Sequence, residues 1–460
     1  MHSDARNLPL TAANQEAVDH YNRAIERYFE YRLDTMQHVK AALAADPDFV
    51  MGHCLKGYLF MLFNATSVYG RVREALAFCE PRTDGVTARE AMHVAALAAW
   101  LSGDWDKTIR IWDEILYAHP TDLLALRLQH FLTFWSGKAM ALRGRVAQVA
   151  QSWDESLPGY GYLIGMLAFG LEECGEYAVA EAQGRRAVEI NPEDLWAVHA
   201  VAHVLEMQGR HRDGIAWMSQ PADAWDDRNP FRGHLWWHTA LFPFELGDHD
   251  RVLELYDNAI RTEKTDFYLD IQNAASLLLR LEFQGVAVGD CWEELADHAE
   301  ANLDDHPLPF TDLHHMVSLV RAGRPEAARK MLASLRAFAG TPGSSAAATM
   351  EPAVLPLCQA ILAFGEGDYD RTVETLLPIR FDYACVGGSH AQRDLFAQLL
   401  IEAAVKAGRF PLARALLSER AALKPSSGAT WIKYAAVLTS LDDANAAAAA
   451  EQRGRELMAG

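Results

Sequence analysis

Two short segments hold the residues best placed for chemistry. The run His199-Ala-Val-Ala-His203-Val-Leu-Glu206 sets two imidazoles and a carboxylate at i, i+4 and i+7. On a helix that spacing puts all three on one face. The run His234-Leu-Trp-Trp-His238 repeats the i, i+4 pair. Imidazoles four residues apart on a helix are a zinc-binding arrangement, and two histidines with one carboxylate describe the facial set of non-haem iron. Neither pair has the glutamate after the first histidine that HExxH peptidases use as base. The competing reading is a polar, hydrogen-bonded surface, since the chain carries 18 histidines and such pairs arise by chance.

The elements that must position these residues are repeats. A glycine followed by a polar residue recurs at Gly103, Gly137, Gly175, Gly209, Gly247, Gly323, Gly367 and Gly408, and Gly285 keeps the interval although Val286 follows it. The intervals fall near the period of about 34 residues that marks tetratricopeptide helical hairpins. In the unit at Gly175, Ala180 and Ala187 let the second helix pack closely, and Asn191-Pro192 ends it. No strand alternation appears. The expected fold is therefore all-α: one right-handed α-solenoid over residues 1–460 with about ten to twelve hairpins. Residues 1–85 read as degenerate repeats, 86–427 as repeats interrupted by a flexible loop or lid near 340–350, and 428–460 as capping helices.

With the turn glycine as position 15 of its unit, positions 2, 5, 9 and 12 of the first helix face the concave groove. Trp196, His199, His203 and Glu206 take those positions, with Val198, Val201, Ala202 and Leu205 toward the core. His234 also faces the groove, while His238 falls at the edge of the stripe. Adjacent inner helices lie about 8–10 Å apart, so both pairs can reach one ion. Trp236 and Trp237 read as core and groove wall. His93 takes a groove position three units away. Asp312 and His314 open another inner helix, where Asp312 also suits the helix dipole. Ser389 or His390 caps a helix whose free N–H groups suit an anion, and Arg393 with Asp394 reads most simply as an ion pair.

Composition narrows the partners. The chain has 62 acidic and 42 basic residues and a formal charge of −20, which argues against nucleic acid and anionic membranes. Six cysteines without a CxxC pair suggest reduced thiols and a cytoplasmic protein. The N-terminal segment has no apolar signal region, and no uncharged apolar run reaches membrane-spanning length.

Six segments in order over residues 160 to 405 resemble the tetratricopeptide repeat protein 38 family: HAVAHVLEMQGR, HLWWHTALFPFELGD, the run around LDIQNAASLL, FTDLHHMVSLV, VLPLCQAILA and GGSHAQRDLF. The family pattern falls on His199, His203, Glu206, His234, His238, Asp270, Asp312, His314, Gln392, Arg393 and Asp394. His390 matches less closely, and Pro243 stands where relatives often have histidine. The resemblance implies a cytosolic helical-repeat protein with ionisable groups in its groove, and it brings no reaction with it.

Two functions remain. In the first, His199, His203, His234 and His238 hold a divalent ion, zinc or iron, with Glu206 or Asp270 orienting the imidazoles. Glu206, Asp312, His314, Arg393 and Asp394 then position a small-molecule substrate or move protons. In the second, the groove clasps a peptide and catalyses nothing, although few groove lysines or arginines are present to hold a carboxylate terminus. Homo-oligomerisation is open in both.

Overall fold

The computed structural model describes residues 2–221 and 223–459. Its 24 α-helices form twelve antiparallel pairs among the described residues, from Gln15–Phe29 with Thr35–Ala45 to Gly428–Ser440 with Ala444–Ala459. Among the described residues the β structure is a two-residue ladder, His2–Ser3 with Pro9–Leu10, at the N-terminus, and an isolated antiparallel bridge between Arg32 and Arg228. All nine turn glycines of the sequence register adopt positive φ, between 66° at Gly209 and 85° at Gly103. That left-handed conformation ends each inner helix and turns the chain into its outer partner, and glycine adopts it without the Cβ clash other residues meet.

The array coils back on itself, so hairpins far apart in sequence touch. The Ser345 amide donates to the Gly103 carbonyl at 2.9 Å, and the Trp105 amide donates to Ser345 Oγ at 3.0 Å across 240 residues. The Thr66 amide donates to Asp305 at 3.1 Å. A Cβ at Gly137 would collide with the Ala384 carbonyl, and one at Gly209 with Ser426. Arg32 bonds Asp227 and Glu193, Arg228 bonds Glu193, and Tyr31 stacks on Phe231 at 4.0 Å. The groove of the first superhelical turn is thereby closed by the second.

The 340–350 segment corrects an expectation. It is docked on the turn at Gly103 and continues through short helical turns, Ala347–Thr349 and Met350–Val354, into the Leu355–Gly365 helix. The continuous stretch Ala347–Gly365 has the length and the mean hydropathy, 1.4, of a membrane span, and 61% of it is buried in the array. That environment suits a core helix.

Candidate metal centre

The Leu195–Met207 helix starts at Asp194, whose carboxylate accepts from the Trp196 and Ala197 amides at 3.1 Å. Leu195, Val201 and Leu205 bury their side chains in the core, which turns His199 and His203 inward one turn apart. The Phe231–Glu245 helix brings His234 and His238 to the same point. His203 Nε2 lies 3.0 Å from His199 Nε2, and His234 Nε2 lies 3.1 Å from it. One nitrogen from each of the four rings falls within 4.8 Å of the others. The rings are between 0% and 5% exposed, so His238 sits inside the cluster and not at an edge. Trp237 lies flat against His234, 5.3 Å away with a 9° interplanar angle, as a wall.

One outer nitrogen is hydrogen-bonded and two face carboxylates. His234 Nδ1 faces Asn273 Oδ1 at 2.8 Å, His203 Nδ1 faces Glu172 at 3.5 Å, and His238 Nδ1 faces Glu206 at 3.5 Å. A proton on each of these Nδ1 atoms leaves a bare lone pair on each opposite Nε2. Burial, then the mutual proximity of the rings, lowers His199 far below its ordinary pKa. Burial does the same to His203 and His238 and brings His234 to about 4 against the Asn273 bond. All four are neutral at pH 7, the form that binds metals.

Sequence reasoning named Glu206 but missed Glu172 and Asn273. Glu172 precedes Gly175 by three residues, as Glu206 precedes Gly209, so the repeat register carried its signal. Asp270 does not hold an imidazole. It accepts from Thr265 Oγ1, and burial lifts it to about 6, while Asn273, one turn on, does the work expected of it. Pro243 lies within its helix, and the four-histidine cluster is complete without a side chain there.

Behind the two glutamates lies a charged layer. Lys424 Nζ is 3.2 Å from Glu206 and 3.8 Å from Asp394, and Arg420 grips Asp394 with two nitrogens. His390 Nε2 lies 3.4 Å from both Glu172 and Glu173. Burial raises Glu172 to about 7 against the His390 bond, whereas Glu173 and Glu172 overcome burial and lift His390 to about 9. Ser389 caps its helix, accepting from Gln392 N at 3.2 Å. The anion expected there is supplied by the protein, since the His390 amide donates to Glu173 at 3.2 Å.

The remaining expected site residues lie elsewhere or in other partnerships. Arg393 and Asp394 do not pair with each other: Arg393 donates to the Gly387 and Gly388 carbonyls, and Asp394 belongs to Arg420 and Lys424. Asp312 bonds His306 Nδ1 at 2.8 Å, outside the cluster. Burial raises Asp312 to about 6 against that bond. His314 bonds the Phe310 carbonyl at 2.7 Å. His93 bonds Asp122 at 3.0 Å, in a network with Arg89. These groups are separated because each inner helix has several buried faces once the superhelix closes, and only one faces the histidines.

His315, beside His314, is 5% exposed and is lowered by burial to about 3. Unfolded histidine titrates near 6.5, so the unfolded chain takes up this proton first and acid disfavours folding below about pH 6.5. In His315→Gln that penalty is absent. Urea midpoints should show the variant gaining on the wild type by on the order of 1 kcal/mol per pH unit between pH 6.5 and 5. Parallel pH profiles would refute a buried neutral His315.

Beside the cluster lies a cavity of about 120 Å³ that His199 and His234 help to line. The Leu123–Trp135 helix supplies Arg127, His130, Phe131 and Phe134, spaced to share one face.

No family model matches this sequence. Among solved structures, the chain is similar to the human IFIT1 dimer with m7Gppp-AAAA at 14% identity over 98% of this chain and 96% of that one, with a TM-score of 0.43. It is similar to the P58(IPK) TPR domain at 12% identity over 80% and 93%, with a TM-score of 0.23. It is also similar to Naa15/Naa10 bound to HypK-THB at 13% identity over 96% and 64%, again with a TM-score of 0.23. The glycine register and the twelve hairpins make this chain an all-α, tetratricopeptide-like solenoid with a buried cluster of four histidines.

Proposed function

We propose that the protein is a metal-dependent enzyme of the tetratricopeptide repeat protein 38 type, working in a reducing, cytoplasmic setting. His199, His203, His234 and His238 hold one zinc or ferrous ion at the wall of a small-molecule chamber. The observation that carries this reading is the convergence of imidazole lone pairs. With His234 Nδ1 bonded to Asn273, and protons on His203 Nδ1 and His238 Nδ1 favoured by the carboxylates of Glu172 and Glu206 at 3.5 Å, only His199 has a proton to offer the three Nε2 atoms opposite. A cation resolves that repulsion. Tetrahedral zinc with bonds of about 2.0–2.1 Å wants its nitrogens about 3.3 Å apart, a few tenths of an ångström beyond the 3.0 and 3.1 Å from His199 to His203 and His234. Glu172, which burial lifts to about 7 and the charge of a bound cation would help ionise, and Glu206 stand behind the imidazoles in the carboxylate–histidine arrangement that orients metal ligands.

When bound, such an ion polarises a substrate oxygen or activates water. His199 is the ligand held least firmly, because its Nδ1 has neither a hydrogen bond nor, unlike His203 and His238, a carboxylate beside it, and it lines the cavity. Its displacement would open a position toward a substrate. A peptide-clasping scaffold needs an open groove, and contacts between hairpins far apart in sequence narrow the space beside the histidines.

The test is elemental analysis of protein expressed without chelator and resupplied with zinc or ferrous iron. One tightly held ion per chain is expected. A protein that retains none under either supply would end the enzyme reading and leave the scaffold.

A further inference from the structure

The cavity beside the histidines has a chemistry of its own. Nine of its seventeen lining residues are Phe, Tyr or Trp, and none is Asp or Glu. Its one permanent charge is Arg127, which is 5% exposed. Arg127 donates to the Tyr31 hydroxyl and lies 4.7 Å over Trp196, and its Nε has no partner. Among the described residues no carboxylate comes within 4.0 Å of the guanidinium. Asp194, the nearest acid to influence it, is spent on capping its helix, and burial lifts it to about 7. His130, 2% exposed, faces the same space with neither ring nitrogen bonded. Burial and then Arg127 keep it neutral, so it offers one donor and one acceptor.

A buried guanidinium without a counter-ion and a neutral imidazole without a partner are both costly unless something completes them. We propose that the chamber binds a small aromatic carboxylate, with its carboxylate on Arg127 and His130 and its ring among Phe131, Trp196 and Phe231. A single guanidinium suits a planar monoanion, which it can meet through two parallel bonds. A phosphate dianion would leave a second charge buried and unmatched. The aromatic walls offer ring faces and edges. The volume, about 120 Å³, is a little below the ~150 Å³ apolar cavity that accepts benzene, and the space is partly open, so a single small ring is the largest body it takes. The ligand would lie against His199 and His234, which makes it the substrate class of the proposed metal centre. To that extent the inference rests on the reading above, but Arg127 does not depend on the metal.

Titration calorimetry with benzoate, benzamide, benzylamine and acetate separates the two. Benzoate is expected to bind one per chain, at least tenfold tighter than its neutral isostere benzamide, its cationic analogue benzylamine or ringless acetate. Binding should persist after the metal is stripped with chelator and should weaken at least tenfold in Arg127→Met. Benzoate binding in stripped protein that fails to hold metal would sustain this inference and end the metal reading. Benzoate binding that vanishes with the metal and is unchanged in Arg127→Met would overturn this inference and sustain the metal. Equal affinities for benzoate and benzamide in the wild type overturn it as well, and that comparison needs no variant to fold.

Discussion

The His203→Ala protein is expected to keep its helix content and lose its metal. His203 is 0% exposed, with one nitrogen 3.0 Å from His199 and the other 3.5 Å from Glu172. Its removal deletes a ligand and leaves Glu172 without the imidazole it orients. The helix itself loses nothing it needs, since alanine is the best helix former and the core residues of that helix are untouched. Bound metal stabilises the folded chain by mass action, about 4 kcal/mol when the free ion stands a thousandfold above its dissociation constant. Wild-type urea midpoints should therefore rise on adding zinc or ferrous iron, while the variant's should not. Elemental analysis should give one ion per chain and near zero respectively, with equal far-ultraviolet dichroism. A variant that holds metal at the wild-type stoichiometry would remove His203 from the site.

A comparable loss, this time of stability, is expected from Asp394→Asn. Against the upward push of burial, Arg420 and Lys424 hold the Asp394 carboxyl well below the usual carboxylate range. Removing its charge strands Arg420 and Lys424 in the interior, with Arg280 nearby and Glu206 and Glu245 as the carboxylates left to face them. Breaking one partner out of a buried ion network costs about 3–5 kcal/mol. Urea denaturation at pH 7 measures this directly. A change below about 1 kcal/mol would show that Asp394 is not the keystone of that layer and would reopen its role as a substrate-facing group.

The turn glycines were legible because the need for positive φ is local and recurs at a near-constant interval. His199, His203 and Glu206 were legible for the same reason, since a helix face follows from spacing alone. Glu172 stood in the same register and was passed over for want of a histidine beside it. What spacing could not give was the closure of the superhelix. The edge position assigned to His238 assumes an open groove, and closure puts it inside. The link from Glu206 to Lys424, the bond from His390 to Glu173 and the docking of Ser345 on Gly103 join residues more than 200 positions apart, which no repeat register brings together. Arg127 and His130 were likewise invisible, because their significance lies in having no partner, and that is known only once every neighbour is placed.

Closure also changes how such a chain reaches its folded state. An open repeat array can fold unit by unit, each hairpin resting on the one before. Here the turn at Gly103 is completed by Ser345, and the Trp105 amide finds its acceptor 240 residues later. At about 5–20 residues per second of synthesis, the early hairpins wait on the order of 10–50 seconds for the segment that covers them. During that interval the inward faces, with their aromatic rings and uncompensated charges, stand open to the cell. The histidine cluster lies between the two, on hairpins made after Gly103 and before Ser345, so the proposed metal would have its easiest access while the ring is still incomplete.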